Sequence, residues 1–284
     1  MKRCRHANIV RLVEVIDDPA QEKIYLVMEY LAGGPIHWQT PEDKPVLTLK
    51  QTRRIMRDAM LGLEYLHHEG IIHRDIKPAN LLYTRDRRTV KIVDFGVAHY
   101  APTHRIKARE TNDTRPDTII NQDLFPLRNL LRTQGTPIFL APEVLDETLK
   151  TDSGDDTRQF LSYDTISAFE SNPTAGPSNP LKRRPPLTTA IDVWALGVTF
   201  YCLLFGHVPF TGDNNRYALN DHILKNDFKI DDEMGYERVV TGGRHPGDNA
   251  SEGSTVVYLL EKVLEKKPSQ RITIATMKVN FPRF

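Results

Sequence analysis

His73 to Asn80 (HRDIKPAN) sets an aspartate, a lysine and an asparagine close together, and Asp94-Phe95-Gly96 supplies a second acid a short way downstream. Between them Leu81-Leu82-Tyr83 and Val90-Lys91-Ile92-Val93 read as two short strands. A hairpin made from these strands would hold Asp75, Lys77, Asn80 and Asp94 at one point. The set combines an acceptor for a hydroxyl proton, a cation to lie near a transferred phosphate, and two oxygen ligands for a divalent metal. Phosphoryl transfer from a nucleotide needs those groups. Each tripeptide alone is a weak signal, because a lone buried aspartate is usually a capping group.

The elements that would position this set are legible to different degrees. Ile9 to Val15 alternates apolar and polar residues, Lys23 to Tyr30 is a second β-rich run, and Asp17-Asp18-Pro19 between them is turn chemistry. Leu49 to His68 predicts an amphipathic helix whose stripe is Thr52, Ile55, Met56, Ala59, Leu63 and Leu66, closed by Gly70. Ala190 to Phe205 is the longest apolar run; it is too short to span a bilayer, contains Asp192, and predicts a fully buried helix. Further helices are expected at Ala218–Lys225, Ser254–Glu265 and Ile272–Met277. Residues 150–187 are rich in Ser, Thr, Asp and Pro and predict a disordered insertion. Within it Lys182-Arg183-Arg184 reads as a solvated loop rather than a targeting signal.

The bulk numbers restrict the function classes. The 284 residues carry 38 basic and 37 acidic side chains, so no charge excess points to nucleic acid or a membrane surface. Two cysteines, Cys4 and Cys202, do not make a disulfide framework and fit a reducing compartment, the cytoplasm or the nucleus.

HRDIKPAN, DFG, the run Gly135 to Glu143 (GTPIFLAPE) and Asp192 to Val198 (DVWALGV) come in an order and spacing that resemble the eukaryotic protein kinases. The resemblance covers Ile9 to Arg271. It implies an α+β, protein-kinase-like two-lobe fold with a truncated N-lobe and a mostly helical C-lobe: residues 1–30 as a remnant of N-lobe strands and 31–284 as the C-lobe. It also implies ATP and Mg²⁺ as cofactors and a Ser/Thr hydroxyl of a protein as acceptor, Lys77-Pro78-Ala79-Asn80 being of the Ser/Thr type. The roles follow position by position. Asp75 accepts or orients the hydroxyl, Lys77 offsets phosphate charge, and Thr136 bridges the two. Asn80 and Asp94 bind Mg²⁺. Met28 is the gatekeeper and Glu29 to Leu31 the hinge whose backbone meets adenine, with Leu82 as the adenine floor. His73, Phe95 and Leu12 belong to a stacked spine, and Asp192 bonds the backbone of the His73-Arg74 turn. Glu143 and Arg271 form a buried ion pair, while Arg74 can take a phosphate on a long activation segment running from Val97, with Thr133 as a donor site.

The departures from the pattern are equally informative. The sequence contains no G-x-G-x-x-G, and no V-A-I-K strand precedes the hinge; the only lysines before it are Lys2 and Lys23. It therefore resembles a kinase domain without its first third. Residues 1–284 alone are expected to transfer phosphate poorly, with a catalytically inactive interaction module as the rival reading. Small-molecule kinases of related fold are disfavoured by Ala141-Pro142-Glu143 and the Thr136 loop. Within the family, Asp17 to Ala20, Ile24 to Glu29, Gly34-Pro35-Ile36 and Gly197 to Cys202 resemble calcium/calmodulin-dependent protein kinase kinases. Pro35 and Ala79 stand where arginine-selecting kinases place glutamates. The resemblance thus implies a substrate that is another kinase's activation loop, and leaves calmodulin as a regulator open, through a tail following the last helix.

Overall fold

The computed structural model describes residues 4–19, 21–100, 135–145, 188–213, 215–244 and 251–280. Thr133, most of the long segment after Asp94-Phe95-Gly96 and the insertion at 150–187 lie outside the described residues.

The architecture is α+β. Strands β1 (Leu12–Asp18) and β2 (Lys23–Met28) form an antiparallel ribbon. The first strand begins later than its alternation suggested because Ile9 and Val10 are buried elsewhere. They lie along the edge of β6 (Val90–Ile92): the Val10 N–H donates to the Ile92 carbonyl at 3.0 Å, and the Ile92 N–H to the Asn8 carbonyl at 2.8 Å. Asp17 and Asp18, expected in the turn, stay in the ladder opposite Ile24 and Lys23. The ribbon keeps Val13, Ile16, Ile24, Leu26 and Met28 exposed among the described residues.

The chain leaves β2 through Leu31 to Gly34 into β3 (Gly34–Pro35), which pairs with β5 (Leu81–Tyr83); β5 in turn pairs with β6. Gly33 is required at this passage, because a Cβ there would lie 2.1 Å from the Thr84 carbonyl oxygen. That approach lets the departing segment lie against the hairpin that carries the chemistry.

Helix α1 (Leu49–His68) begins at a capping box: the Gln51 N–H donates to Thr48 Oγ1 at 3.2 Å, and the Thr48 N–H donates to Gln51 Oε1 at 2.8 Å. These bonds satisfy two donors that an uncapped helix start leaves open. Thr52, Ile55, Met56, Ala59, Leu63 and Leu66 are all buried, as their spacing requires. Asp58 is buried beside them and accepts the Val90 N–H at 2.9 Å, tying the helix to β6. A two-residue strand, β4 (Ile71–Ile72), follows and pairs with β7 (His99–Tyr100).

Helix α2 (Pro142–Leu145) precedes α3 (Ala190–Phe205), which is buried from Ile191 to Phe205. Cys202 sits within it, and burial raises its thiol to about 12, so it is a small apolar group at neutral pH. Helix α5 (Glu252–Val263) and the short hairpin β8 (Glu233–Met234) and β9 (Val239–Val240) pack on α3, while α4 (Arg216–Lys225) packs against α2 and α6 (Ile274–Asn280) against α1. Caps move these helix starts from their expected places. Asn215 Oδ1 accepts the Tyr217 and Ala218 N–H groups, so α4 opens two residues early, and Ser251 Oγ accepts the Ser254 N–H, doing the same for α5. The last helix opens later than expected: Thr273 Oγ1 accepts the Thr276 N–H ahead of it. No described helix is long and apolar enough to cross a membrane.

Candidate active site

The hairpin β5–β6 is the platform of the site. Asn80 is the last residue before β5, and Asp94 follows β6 by two positions, so antiparallel pairing of Leu81 with Ile92 brings both to one end. The Val93 N–H donates to the Asn80 carbonyl at 3.0 Å and extends that register.

Asp75 is the hub. Its Oδ2 accepts Lys77 Nζ at 2.7 Å and Asn80 Nδ2 at 3.0 Å; its Oδ1 accepts the Thr136 N–H and the Thr136 hydroxyl, both at 2.9 Å. A carboxylate offers about four lone-pair sites, so these four donors occupy it fully. Lys77 Nζ also donates to Thr136 Oγ1 at 2.6 Å, closing a ring through Asp75, Lys77 and Thr136. Burial pushes the Asp75 carboxyl upward, but hydrogen bonds from Lys77 and Thr136, with the Lys77 charge, outweigh it and hold the pKa below the usual carboxylate range. Thr136 can reach this ring because Gly135, at φ +112°, passes the catalytic loop where a Cβ would lie 2.6 Å from the Arg74 carbonyl oxygen.

Asn80 turns its amide nitrogen inward, onto the Asp75 carbonyl at 2.8 Å and Oδ2, which leaves its Oδ1 for a ligand. Asp94 is exposed, in the left-handed region at φ 59°, and one of its carboxylate oxygens accepts the Gly96 N–H at 3.1 Å. Among the described residues no group of three or more His, Cys, Asp or Glu side chains is placed to hold a metal unaided. One exposed carboxylate and one carboxamide oxygen nevertheless fit a small hard cation whose other ligands are water and phosphate oxygens. The donor set therefore suits a divalent cation arriving with a nucleotide.

The loop carrying these groups is fixed from beneath by Asp192, on the first turn of α3 and fully buried. It accepts the His73 N–H at 2.9 Å, the Arg74 N–H at 2.8 Å and His67 Nε2 at 2.8 Å. Those bonds hold Arg74 at φ 67°, a conformation that L-residues seldom adopt without such support. Burial alone would raise the Asp192 pKa; the His67 hydrogen bond and charge, with the Arg74 N–H, outweigh it and lower the pKa. Arg74 Nε donates to the Val97 carbonyl, so its side chain already engages the segment after Asp94-Phe95-Gly96. His73 is fully buried, edge-on to Phe95 with ring centroids 5.0 Å apart. Its Nδ1 accepts the Asp75 N–H and its Nε2 donates to the Val93 carbonyl at 3.0 Å, so it serves as a neutral strut.

A pH dependence follows. Burial lowers the His73 pKa from 6.5 in spite of neighbouring carboxylates. The unfolded chain therefore binds a proton that the folded chain refuses. The resulting stability is fully present above about pH 6.5 and is lost as pH falls from there toward the folded pKa. Melting temperatures from pH 8 to 5 should fall, and His73→Phe should flatten that slope; an unchanged slope in the variant would contradict the assignment.

Further out, Leu82 pairs with Pro35 across β3 and β5, and Leu31 is buried. Met28 is exposed at the end of β2, opposite Leu12 in β1. Glu29 has a further role that its place near β2 did not disclose. Its carboxylate accepts Lys91 Nζ at 2.6 Å and the Arg11 N–H at 2.8 Å, pinning the end of β2 to β6. Burial works against the charge there, but Lys91 and Arg11 hold the Glu29 pKa low.

Glu143 on α2 and Arg271 make a bidentate pair at 2.7 and 2.9 Å with essentially no exposure of either side chain. The remaining guanidinium donors reach the carbonyls of Ala190, Glu265 and Lys266 at 2.7 to 3.2 Å, and the group lies 5.1 Å over the Trp194 ring. One side chain thus anchors α2, the start of α3 and the loop after α5.

A fold of this kind, with an aspartate–lysine–threonine ring beside two metal-type oxygen donors, defines the class of phosphotransferases that act on proteins. Residues 1–157 and 178–281 match the protein kinase domain model, and the chain belongs to that family, whose members use ATP and a divalent metal. It is 39% identical over 280 residues to the serine/threonine-protein kinase ssp1 of Schizosaccharomyces pombe, covering 99% of this chain and 33% of that protein. Two Saccharomyces cerevisiae proteins are similar to it: serine/threonine-protein kinase TOS3, 35% identical over 99% of the chain and 42% of the relative, and SNF1-activating kinase 1, 36% identical over 98% and 22%. The chain spans between about a fifth and two-fifths of the length of these curated relatives.

Proposed function

We propose that the protein transfers the γ-phosphate of ATP, with Mg²⁺, to a serine or threonine of another protein kinase. The observation that carries this reading is the closed ring of Asp75, Lys77 and Thr136, with Asn80 tied into it at 2.8 to 3.0 Å. Mg²⁺ bound with the nucleotide would neutralise charge on the phosphates. Asn80 Oδ1 and Asp94 are the residues that would hold it, and Leu82 and the backbone of Glu29 to Leu31 would receive adenine.

The occupied state of Asp75 dictates how it works. With four donors already in place, it can accept a substrate hydroxyl only after one of them leaves. Asn80 is held twice, and the Thr136 N–H is part of the backbone. Lys77, partly exposed on a four-carbon stem, is the donor free to swing onto an arriving phosphate. Exchange of Lys77 for a hydroxyl would thus couple binding of the phosphate to exposure of the base.

The substrate class rests on two positions and one relative. Pro35 and Ala79 are exposed and carry no charge to select arginine beside the acceptor; the relative named SNF1-activating kinase 1 fits a kinase as substrate. The buried free thiols Cys4 and Cys202 support a reducing compartment, the cytoplasm or the nucleus. The test is to incubate the protein with labelled ATP, Mg²⁺ and activation-loop peptides of kinases, beside arginine-directed control peptides. Phosphothreonine on the loop peptides without an arginine preference is expected. A strong preference for arginine before the acceptor would overturn the substrate reading, and no transfer by any form of the protein would overturn the activity.

A further inference from the structure

The hairpin that presents Asn80 and Asp94 at one end carries a different surface at the other. Its turn reads Thr84-Arg85-Asp86-Arg87-Arg88-Thr89. Between this turn, α1 and the segment after β3 lies a cleft of about 170 Å³, separate from Asp75 and its partners. Leu47, Ile55 and Val90, all buried, form the apolar part of its lining, beside the buried Asp58. Its rim is cationic, formed by Arg54, Arg87 and Arg88, all exposed.

The local charge contrasts with the balance of the whole chain. Three arginines line the cleft against one carboxylate, Asp58, whose oxygens are already taken by the Val90 N–H at 2.9 Å and by Arg57 at 3.2 Å. The turn's own acid, Asp86, is occupied by the Thr84 hydroxyl at 2.7 Å and the Arg88 N–H at 3.1 Å, and it stands near enough to Arg88 to offset part of that charge. No ion pair to a described carboxylate holds Arg54, Arg85 or Arg87. Arg54 donates to the carbonyls of Arg87 and Arg88 at 3.2 and 3.3 Å, which clamps the turn to α1 and fixes the rim before any ligand arrives. A prearranged group of like charges raises the energy of the free protein and is relieved by an anionic partner.

We propose that this cleft is a docking site for an acidic, extended peptide segment of a partner protein, with one apolar side chain seated on Leu47, Ile55 and Val90 and flanking carboxylates on Arg54, Arg87 and Arg88. The size of the recess selects this occupant: cavities of roughly 150 Å³ take one small ring or aliphatic group. A bilayer surface would leave the recess empty, whereas a side chain fills it. The strands between the two ends of the hairpin are three residues each, about 10 Å at ~3.3 Å per residue. A segment docked at the turn would therefore be tethered within a short span of the catalytic loop, raising the effective concentration of what it carries there. This site is distinct from the transfer chemistry and does not depend on it.

The test measures fluorescence anisotropy of a labelled peptide alternating glutamate and leucine, titrated with the protein, against a lysine–leucine peptide of equal length. Saturable binding of the acidic peptide alone is expected, weakening as salt rises. Arg87→Glu with Arg88→Glu should weaken it by roughly tenfold or more, since each reversed rim charge removes an attraction and adds a repulsion. Arg87→Gln with Arg88→Gln should weaken it less, and its unchanged melting temperature would separate loss of charge from loss of fold. Absence of saturable binding, or equal affinity in the reversed variant, overturns the proposal. So does co-sedimentation with phosphatidylserine vesicles without peptide binding, which would make this face a membrane contact.

Discussion

Replacing Asp75 by Asn should lower the rate of phosphoryl transfer by ~10²–10⁴-fold, the usual worth of a positioned general base. The side chain keeps its shape, but it loses the charge that Lys77, Asn80 and Thr136 all address. An amide placed there also turns an NH₂ toward one pair of donors, leaving them unsatisfied at a cost of about 1–3 kcal/mol. The expected signature is a large fall in kcat with nucleotide affinity nearly unchanged, because Asp75 meets the hydroxyl and not the nucleotide. Single-turnover transfer and nucleotide titration of the variant measure the two separately. A variant that transfers phosphate within a few fold of the original would show that Asp75 is not the base.

The second large effect belongs to stability. Arg271→Ala leaves the Glu143 carboxylate buried with no counter-charge, and strands the carbonyls of Ala190, Glu265 and Lys266. Breaking a buried pair in this way costs roughly 3–5 kcal/mol. Domains of this size are commonly stable by only about 5–15 kcal/mol, so the variant should unfold at much lower denaturant. The double variant Arg271→Met with Glu143→Leu should recover a large part of the loss, since it removes both desolvated charges. Urea unfolding of the three proteins decides the matter. If the single variant loses less than about 1 kcal/mol, the pair is better solvated than its geometry indicates.

These two residues also show how unevenly the chain disclosed itself. Asp75 was visible because Lys77 and Asn80 lie within a few positions of it, and short spacing in one loop survives any folding of the rest. The α1 stripe and the apolar run of α3 were visible for a related reason: a buried helical face must repeat along the chain, and continuous burial requires continuous apolarity. The bonds that fix Arg74, by contrast, join residues 118 apart, and Thr136 meets Asp75 across 61 residues; only the family pattern pointed to them.

Other features were decided by the tertiary structure alone. The Lys91–Glu29 pair spans 62 residues, the Asn8 bond to Val90 spans 82, and His67 meets Asp192 across 125. Each depends on which surfaces come to face one another, and no local periodicity encodes that. The two-residue ladders of β3, β4, β7, β8 and β9 are too short to show alternation, so they exist because neighbouring segments are held beside them. The arginines at 54, 87 and 88 read along the chain as ordinary solvated charges. They become a single cationic rim only where α1 passes the β5–β6 turn and Arg54 bonds its carbonyls. The amino-acid sequence by itself determined the reactive groups, the helices that bury an apolar face and the family, because these are properties of short or periodic stretches. The geometry of the Asp75 ring, the support beneath it and the basic cleft were decided by packing, because distance in space is not distance along the chain.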